Sequence, residues 1–147
     1  MKITSDSVSA MHQLGAKIGA QLKNGDVIVL TGELGAGKTV LTQGIGSAFG
    51  VENITSPTFV ISRIHKGNPN FIHIDAYRLL DSGVNSFADL DFESYLPKSV
   101  FVIEWGKDFV SQLSDQYLDI KISNAEKENE RVLEINGVGQ RWAGFNL

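Results

Sequence analysis

The spacing of apolar side chains predicts a helix near the start of the chain and a buried strand directly after it. Apolar residues recur at near-helical intervals from Asp6 to Lys23, with Ser5 as the expected N-cap and Asn24-Gly25 as the stop signal. A short β-branched run bounded by turn residues follows, from Asp26 to Thr31. Such a run is typical of a strand that is covered on both faces, as in a parallel sheet.

A second helix and further strands are predicted along the rest of the chain. The pattern from Lys38 to Phe49 is helical, although Gly44 and Gly46 each weaken a helix interior by roughly 1 kcal/mol relative to alanine. The remaining pattern predicts strands over Thr58 to Ile64 and Phe71 to Asp75 around a turn at Lys66 to Pro69, a short helix over Phe87 to Tyr95, a buried strand over Val100 to Ile103, and half-buried strands over Tyr117 to Ile122 and Arg131 to Ile135.

These elements predict the fold class. Strands of parallel type with an intervening helix indicate α/β architecture. The alternating strands near the C-terminus predict antiparallel additions to a mostly parallel central sheet that is flanked by helices. With no internal repeat or linker, residues 1–147 are expected to form a single domain.

Composition narrows the class of protein. The 147 residues are 42 % hydrophobic, include no cysteine and carry a formal net charge of -4. Disulfides and thiolate metal sites are therefore excluded, and the acidic balance argues against binding bare nucleic acid by phosphate neutralisation alone. No signal-peptide pattern occurs, and no apolar run approaches the roughly 20 residues that span a bilayer, so we expect a soluble cytoplasmic protein without membrane contact.

The segment between the first buried strand and the second helix has the pattern of a phosphate-binding loop. The motif Gly-x-x-x-x-Gly-Lys-Ser/Thr is complete, in the order Gly32, Glu33, Leu34, Gly35, Ala36, Gly37, Lys38 and Thr39. Glycines allow tight turns that direct backbone N–H groups at phosphates, and the next helix adds the positive end of its dipole. We expect Lys38 to contact the β- and γ-phosphates and the Thr39 hydroxyl to bind Mg²⁺. The motif predicts a P-loop nucleotide hydrolase fold.

Two carboxylates follow apolar runs and are candidates for positioning the metal and the attacking water. Glu104 comes directly after Val100 to Ile103, and Asp75 ends the run that begins at Phe71. Ligands lie at the carboxyl ends of strands in open α/β sheets, and P-loop enzymes need a carboxylate there. The alternative for each is a solvated strand-end carboxylate. Trp105 is either a core aromatic or a wall of the nucleotide site.

Two further residues have both a functional and a structural interpretation. Thr58, in Ser56-Pro57-Thr58, lies between the loop helix and the next strand, where many P-loop enzymes have a switch segment. The alternative is an ordinary proline turn. His73 is either a catalytic residue or a structural one within its strand.

No Asn-Lys-x-Asp run that would read guanine occurs, so adenine is the expected base.

Four blocks of sequence together resemble the TsaE (YjeE-like) ATPases of bacterial tRNA threonylcarbamoyladenosine biosynthesis. They are the phosphate-loop motif, Ser56-Pro57-Thr58-Phe59, His73-Ile74-Asp75-Ala76-Tyr77-Arg78-Leu79, and Ile103-Glu104-Trp105. Their order and spacing match over roughly Gly25 to Gly106. A P-loop alone is common to many proteins, whereas the other three blocks in this order are far more specific.

The resemblance implies a compact P-loop fold and an ATPase that is weak alone and acts with a TsaB–TsaD pair. That assembly transfers a threonylcarbamoyl group to adenosine 37 of tRNA, so the partners would mediate contact with tRNA. On matching positions, the resemblance assigns phosphate binding to Lys38 and the loop amides, and Mg²⁺ binding to Thr39 and Glu104. It also implies roles for residues around this centre: Asp75 at the nucleotide and metal edge, Thr58 as the switch, Trp105 lining the site, Tyr77 and Arg78 in the site wall or partner surface, and Arg131 as a family arginine of the C-terminal strands, placed at the nucleotide.

Two other classes of protein use the same cradle. A small P-loop kinase would need a substrate pocket and usually an arginine-rich lid. The chain has only 13 lysines and arginines and no arginine cluster after the loop helix, which disfavours a kinase. A nucleotide-dependent switch module would bind ATP tightly without hydrolysing it.

Overall fold

Most of the chain is described by a computed structural model, which covers residues 1–33, 35–55, 62–79, 87 and 90–147. The strands and α-helices in this part are β1 (Lys2–Ser5), α1 (Val8–Gly19), β2 (Val27–Thr31), α2 (Lys38–Ser47), β3 (Ser62–His65), β4 (Asn70–Asp75), β5 (Ser99–Glu104), β6 (Tyr117–Asn124) and β7 (Arg131–Val138). Short 3₁₀ segments cover Ala76–Leu79, Phe92–Lys98, Val110–Gln112 and Gln140–Trp142. None of the helices within these ranges is long and apolar enough to cross a bilayer.

The seven strands of the described part form one mixed sheet in the order β1-β7-β6-β2-β5-β4-β3. The four central strands, β6, β2, β5 and β4, pair in parallel. For β2, β4 and β5 this agrees with the prediction from apolar runs. The alternating pattern of β6 predicts an antiparallel addition, and that prediction is wrong for this strand, because β6 pairs in parallel with β2. Strand β7 adds antiparallel to β6, as the alternating C-terminal pattern predicts. Antiparallel strands also complete both edges, since β3 forms a hairpin with β4 and β1 pairs with β7.

The sheet separates two apolar clusters, which explains why the central strands are apolar at successive positions. Alternate side chains of a strand point to opposite faces. Both α-helices pack on one face, where α1 and α2 join the side chains of Ile28, Leu30, Val100 and Val102. The other face is covered by aromatic and aliphatic side chains near the 3₁₀ segments, among them Phe87, Phe92, Phe109, Val110 and Leu113. The flanking α-helices of the described part therefore lie on one side of the sheet.

The N-terminus differs from the sequence prediction. Helix α1 begins after Ser7, whose Oγ accepts a hydrogen bond of 3.0 Å from the backbone N–H of Ala10, so Ser7 and not Ser5 is the N-cap. Ser5 ends strand β1, where it pairs with Arg131 of β7. The pairing partner of this short strand lies more than a hundred residues away, so no local pattern indicates it.

The two glycines that weakened the prediction of α2 allow close packing. A Cβ atom on Gly44 would collide with the carbonyl oxygen of His12 in α1, and one on Gly46 would collide with Ile54. Gly15 of α1 faces Gly44 across the same crossing, where a Cβ would lie 2.9 Å from the Gly44 Cα. The backbones of α1 and α2 therefore approach too closely for larger residues.

The predicted short helix from Phe87 to Tyr95 is also different. A 3₁₀ segment runs over Phe92–Lys98, and residues 88 and 89 lie outside the described part. The ring of Phe87 packs against those of Phe92 and Phe109 at centroid distances of 5.4 and 5.5 Å. These rings cover the sheet face opposite α1 and α2.

Candidate functional site

The phosphate-binding motif follows the end of β2 and continues into the first turn of α2. Gly37 is the N-cap of α2 and adopts φ 106°, a left-handed backbone conformation that residues with a Cβ rarely adopt. The Gly37 carbonyl accepts the hydrogen bond of Leu41 at 3.0 Å, which starts the helical ladder. The N–H groups of the first turn have no partner inside a helix, so the positive end of α2 is built to meet an anion.

Lys38 folds back over the mouth of this loop. Its Nζ donates hydrogen bonds to the carbonyl oxygen of Gly32 and, at 3.4 Å, to that of Glu33. The same ammonium group lies 5.0 Å from the centroid of the Trp105 ring, within the range of a cation–π contact. The structure thus brings Lys38 and Trp105 together, which agrees with the second of the two interpretations of Trp105, a wall of the nucleotide site.

The two candidate carboxylates lie side by side at the same edge of the sheet. In the parallel register Asp75 pairs with Glu104, and Glu104 pairs with Leu30 just before the phosphate loop. Glu104 is almost completely buried, and Asp75 is half-buried with its Oδ1 accepting a 3.1 Å hydrogen bond from the N–H of Tyr77. Register alone therefore places both carboxylates beside the loop.

A cavity of about 740 Å³ joins these parts, a size typical of small-ligand sites. It is lined by Glu33, Gly35, Gly37, Lys38, Thr39, Val40, Asp75, Tyr77, Glu104 and Trp105. Eight of the residues in this set are site residues expected from the sequence: Glu33, Gly35, Gly37, Lys38, Thr39, Asp75, Glu104 and Trp105. The cavity opens where the helix N-terminus and the strand ends meet.

Trp105 has an unusual backbone. Its φ of 59° is left-handed, which costs roughly 1 kcal/mol or more for a residue with a side chain. Its N–H donates to the carbonyl of Leu30 at 2.8 Å, and Tyr77 packs against its ring with 5.6 Å between centroids. These contacts hold the indole between Lys38 and the exposed ring of Tyr77.

Arg131 reaches the outer side of the loop from the first residue of β7. Its Nη1 donates to the carbonyl oxygens of Glu128 and Glu130 at 2.6 and 3.0 Å. Its Nη2 lies 3.5 Å from the carbonyl oxygen of Gly35. The guanidinium group therefore connects the β6–β7 turn to the phosphate loop, and Arg131 is not among the residues that line the cavity.

His73, whose role the sequence left open, lies inside the protein and contacts Glu104. Its side chain is 0 % exposed, and its Nε2 lies 2.7 Å from Glu104 Oε2. Of the other site residues named from the sequence, Leu34 and Thr58 lie outside the described part, as does the rest of Ser56-Pro57-Thr58-Phe59. The side chain of Arg78 also lies outside the described part.

The donor set suits a magnesium ion that arrives with a nucleotide. Within the described ranges, no group of three or more His, Cys, Asp or Glu side chains is arranged to hold a metal. Mg²⁺ does not require such a group, because it commonly binds one or two protein oxygen ligands together with phosphate oxygens and water. The Thr39 hydroxyl and the Glu104 carboxylate, both lining the cavity, fit that pattern.

Comparison with known proteins gives a consistent result over most of the chain. The model of the family described as "Threonylcarbamoyl adenosine biosynthesis protein TsaE" matches residues 5–133. The tRNA threonylcarbamoyladenosine biosynthesis protein TsaE of Streptomyces coelicolor is 42 % identical over 140 residues, which cover 90 % of this chain and 94 % of that protein. The protein of the same name from Bacillus subtilis is 36 % identical over 143 residues, covering 95 % of this chain and 85 % of its own length.

A solved structure supports the similarity of fold. The crystal structure of Bacillus subtilis YdiB superposes with a TM-score of 0.78 at 29 % sequence identity. The superposition covers 97 % of this chain and 88 % of the YdiB chain. The fold is therefore shared over almost the whole length of this chain.

Proposed function

This chain belongs to the TsaE family of tRNA threonylcarbamoyladenosine biosynthesis proteins, and from that premise we propose that it is a Mg²⁺-dependent ATPase of the P-loop NTPase fold. One observation carries the proposal. A single cavity of about 740 Å³ at the ends of parallel strands is lined by Glu104 and by five residues of the phosphate-binding motif: Glu33, Gly35, Gly37, Lys38 and Thr39. Nucleotide hydrolases of this fold need a phosphate cradle and a strand-end carboxylate in that arrangement.

The loop and Lys38 bind the triphosphate. Backbone N–H groups around Gly35 and Gly37 and the positive end of α2 donate to the β- and γ-phosphates. Lys38 exchanges its hydrogen bonds with the Gly32 and Glu33 carbonyls for contacts with phosphate oxygens. Its positive charge then offsets the negative charge of the transferred phosphoryl group, in a cavity where water screens it less than in bulk solvent.

Thr39 and Glu104 hold the metal, and neighbouring residues complete the site. Bound Mg²⁺ supplies Lewis-acid stabilisation of the phosphate oxygens. Asp75, beside Glu104 in the parallel register, orients the attacking water from the adjacent strand end. Thr58 senses the γ-phosphate as a switch residue.

Two aromatic and two basic residues complete the surroundings of the bound nucleotide in this proposal. Trp105 forms the wall against Lys38, and Tyr77 and Arg78 belong to the site wall or to the partner surface. The guanidinium of Arg131, which lies beside the Gly35 carbonyl, contacts the nucleotide from the side of β7.

The hydrolysis serves tRNA modification through partner proteins. In this proposal the chain is a weak ATPase alone and is stimulated by a TsaB–TsaD pair. The partners transfer threonylcarbamoyl to adenosine 37 and contact the tRNA. The net charge of -4 on this chain agrees with an indirect contact, since strong tRNA binding requires many phosphate-neutralising side chains.

An ATPase assay with and without a TsaB–TsaD pair tests the proposal. We expect slow release of free phosphate from the chain alone, strong stimulation by the pair, and loss of turnover in the Lys38→Ala variant. Lys66→Ala, at an exposed lysine in the β3–β4 turn, is the matched control and keeps the wild-type rate.

Other outcomes of the assay identify the competing classes. Phosphate appearing on a second substrate would indicate a kinase, and tight ATP binding without hydrolysis in the presence of the partners would indicate a switch module. Wild-type turnover in Lys38→Ala would remove the phosphate loop from the reaction.

A further inference from the structure

His73 contacts Glu104, and the proposed mechanism gives His73 no role. We infer that His73 is a positioning residue, which fixes the Glu104 carboxylate in the orientation that binds Mg²⁺. The inference rests on the proposed function, because it assumes that Glu104 is the metal ligand. The contact joins His73 Nε2 to Glu104 Oε2 over 2.7 Å, a length typical of a hydrogen bond to an ionised carboxylate.

The register of two parallel strands produces this contact. His73 pairs with Val102 of β5, and Glu104 follows two residues later on the same face of that strand. His73 therefore lies one step inside the sheet from the strand end, directly behind the carboxylate. Glu104 lines the cavity, whereas His73 is completely buried and does not line it.

The burial of the ring indicates that this hydrogen bond is the reason for a histidine at position 73. The other ring nitrogen, Nδ1, has no hydrogen-bond partner among the residues that the structure describes. Burying a polar ring atom without a partner costs free energy that a leucine would not cost. The neighbouring core positions on this face, Phe71 and Val102, are apolar, so packing alone does not call for an imidazole.

The bond limits the freedom of a flexible side chain. A glutamate has three side-chain torsions, and a bond to one carboxylate oxygen fixes the plane and direction of the other. Partners behind a metal ligand typically contribute 10–100-fold to metal affinity. Because the imidazole is shielded from the cavity by Glu104, it acts through that carboxylate and not on the attacking water.

Nucleotide binding with and without magnesium tests the assignment. The affinity for the fluorescent analogue mant-ADP is measured in EDTA and in saturating MgCl₂, and the ratio of the two gives the Mg²⁺-dependent gain. We expect His73→Leu to lower that gain at least tenfold while the affinity in EDTA stays as in wild type. A side chain that acts only on folding would move both affinities or neither.

Two amide variants distinguish the effect of the hydrogen-bond donor's position from the effect of side-chain packing. Glutamine places its amide nitrogen near the position of Nε2, whereas the shorter asparagine places its nitrogen near Nδ1. His73→Gln is therefore expected to keep most of the gain and His73→Asn to lose it. Phe71→Leu, a buried substitution on the same face of the same strand, is the control and lowers the melting temperature without changing the gain.

The outcomes distinguish this inference from the proposed function. If folded His73→Leu has the same Mg²⁺-dependent gain in affinity as wild type, the inference is overturned. If His73→Leu does not fold, equal gains in His73→Gln and His73→Asn overturn it. Glu104→Ala reports on the proposed function itself. If it keeps the full gain, or if wild type shows none, the metal role of Glu104 is wrong and the inference falls with it. If Glu104→Ala loses the Mg²⁺-dependent gain but His73→Asn keeps it in full, the inference is overturned while the metal role of Glu104 stands.

Discussion

The ammonium group of Lys38 lies over the indole of Trp105, with 5.0 Å between Nζ and the ring centroid. Trp105 holds this place in a left-handed backbone conformation, and its own N–H is tied to Leu30 of β2. The lysine that is expected to bind phosphate is thus in contact with an aromatic ring fixed to the end of the neighbouring strand. Any movement of Lys38 toward a phosphate changes the surroundings of that ring.

Trp105 fluorescence is therefore expected to report nucleotide binding. In a W142F background Trp105 is the remaining tryptophan, and addition of ADP with MgCl₂ should change its emission because Lys38 leaves the ring. The measurement is a fluorescence titration. In the complementary W105F variant the emission comes from Trp142, which is buried beside Arg141 and Phe145 and should not respond. An unchanged Trp105 signal at saturating nucleotide would contradict the expected movement of Lys38.

Gly44→Ala is expected to destabilise the fold by about 1–3 kcal/mol, the usual cost of overpacking a tight contact. On helix propensity alone the change would stabilise α2, so the sign of the effect tests the packing. The new Cβ would collide with the His12 carbonyl, which is backbone and cannot move aside cheaply. Urea unfolding measures the change. Gly67→Ala in the β3–β4 turn is the control, where the nearest atom to a Cβ is the Pro69 carbonyl oxygen at 3.2 Å. A more stable Gly44→Ala would mean that the helices separate readily.

Arg141→Met is expected to lower the free energy of unfolding by roughly 3 kcal/mol, the low end for breaking a buried ion pair. Arg141 binds both carboxylate oxygens of Asp26, at 2.9 Å from Nε and 2.8 Å from Nη2, and the Asp26 side chain is 4 % exposed. The variant leaves that carboxylate without its cation. Thermal or urea unfolding tests the loss, and D26N/R141M should recover part of it.

An exposed ion pair supplies the comparison for Arg141. Lys2 and Glu134 are 4.0 Å apart with side chains 71 % and 51 % exposed, so Glu134→Gln should have little effect on stability. Equal effects of Arg141→Met and Glu134→Gln would show that burial of the Asp26 pair contributes nothing.

Acidification is expected to destabilise the fold through His65. Burial lowers the pKa of His65 below its ordinary value of 6.5, and the charges of His73 and Arg63 lower it further. Above that ordinary value His65 is neutral in both the folded and the unfolded chain and adds no slope. As the pH falls below 6.5, His65 binds a proton in the unfolded chain but stays neutral in the folded chain. The free energy of unfolding therefore decreases until the pH passes the lower pKa of His65 in the folded chain.

Urea unfolding at about pH 7.5 and about pH 5.5 measures this loss. We expect a smaller decrease in the His65→Gln variant than in wild type, whatever the effect of the substitution at the higher pH. The same decrease in both proteins would show that other groups carry the pH dependence.

The sequence alone determined the features that depend on neighbouring residues. The phosphate-loop motif, the buried strands β2 and β5 and the helical pattern of α2 each follow from periodicity or turn chemistry within about a dozen positions. The positions of Asp75 and Glu104 at strand ends follow in the same way, and the parallel arrangement then brings both to the loop. The family resemblance also depends on ordered local blocks, which need no structure to be recognised.

Only the tertiary structure decided which distant residues meet. The pairing of β1 with β7, the contact of Arg131 with the loop, and the hydrogen bond from His73 to Glu104 join segments that lie 31 to more than a hundred positions apart. By helix propensity alone Gly44 weakens α2. In the folded protein the missing Cβ of Gly44 allows α1 to cross α2 closely. The physical reason is that local patterns fix which face of an element is buried, whereas strand register and helix packing select the side chain on the other side of the contact.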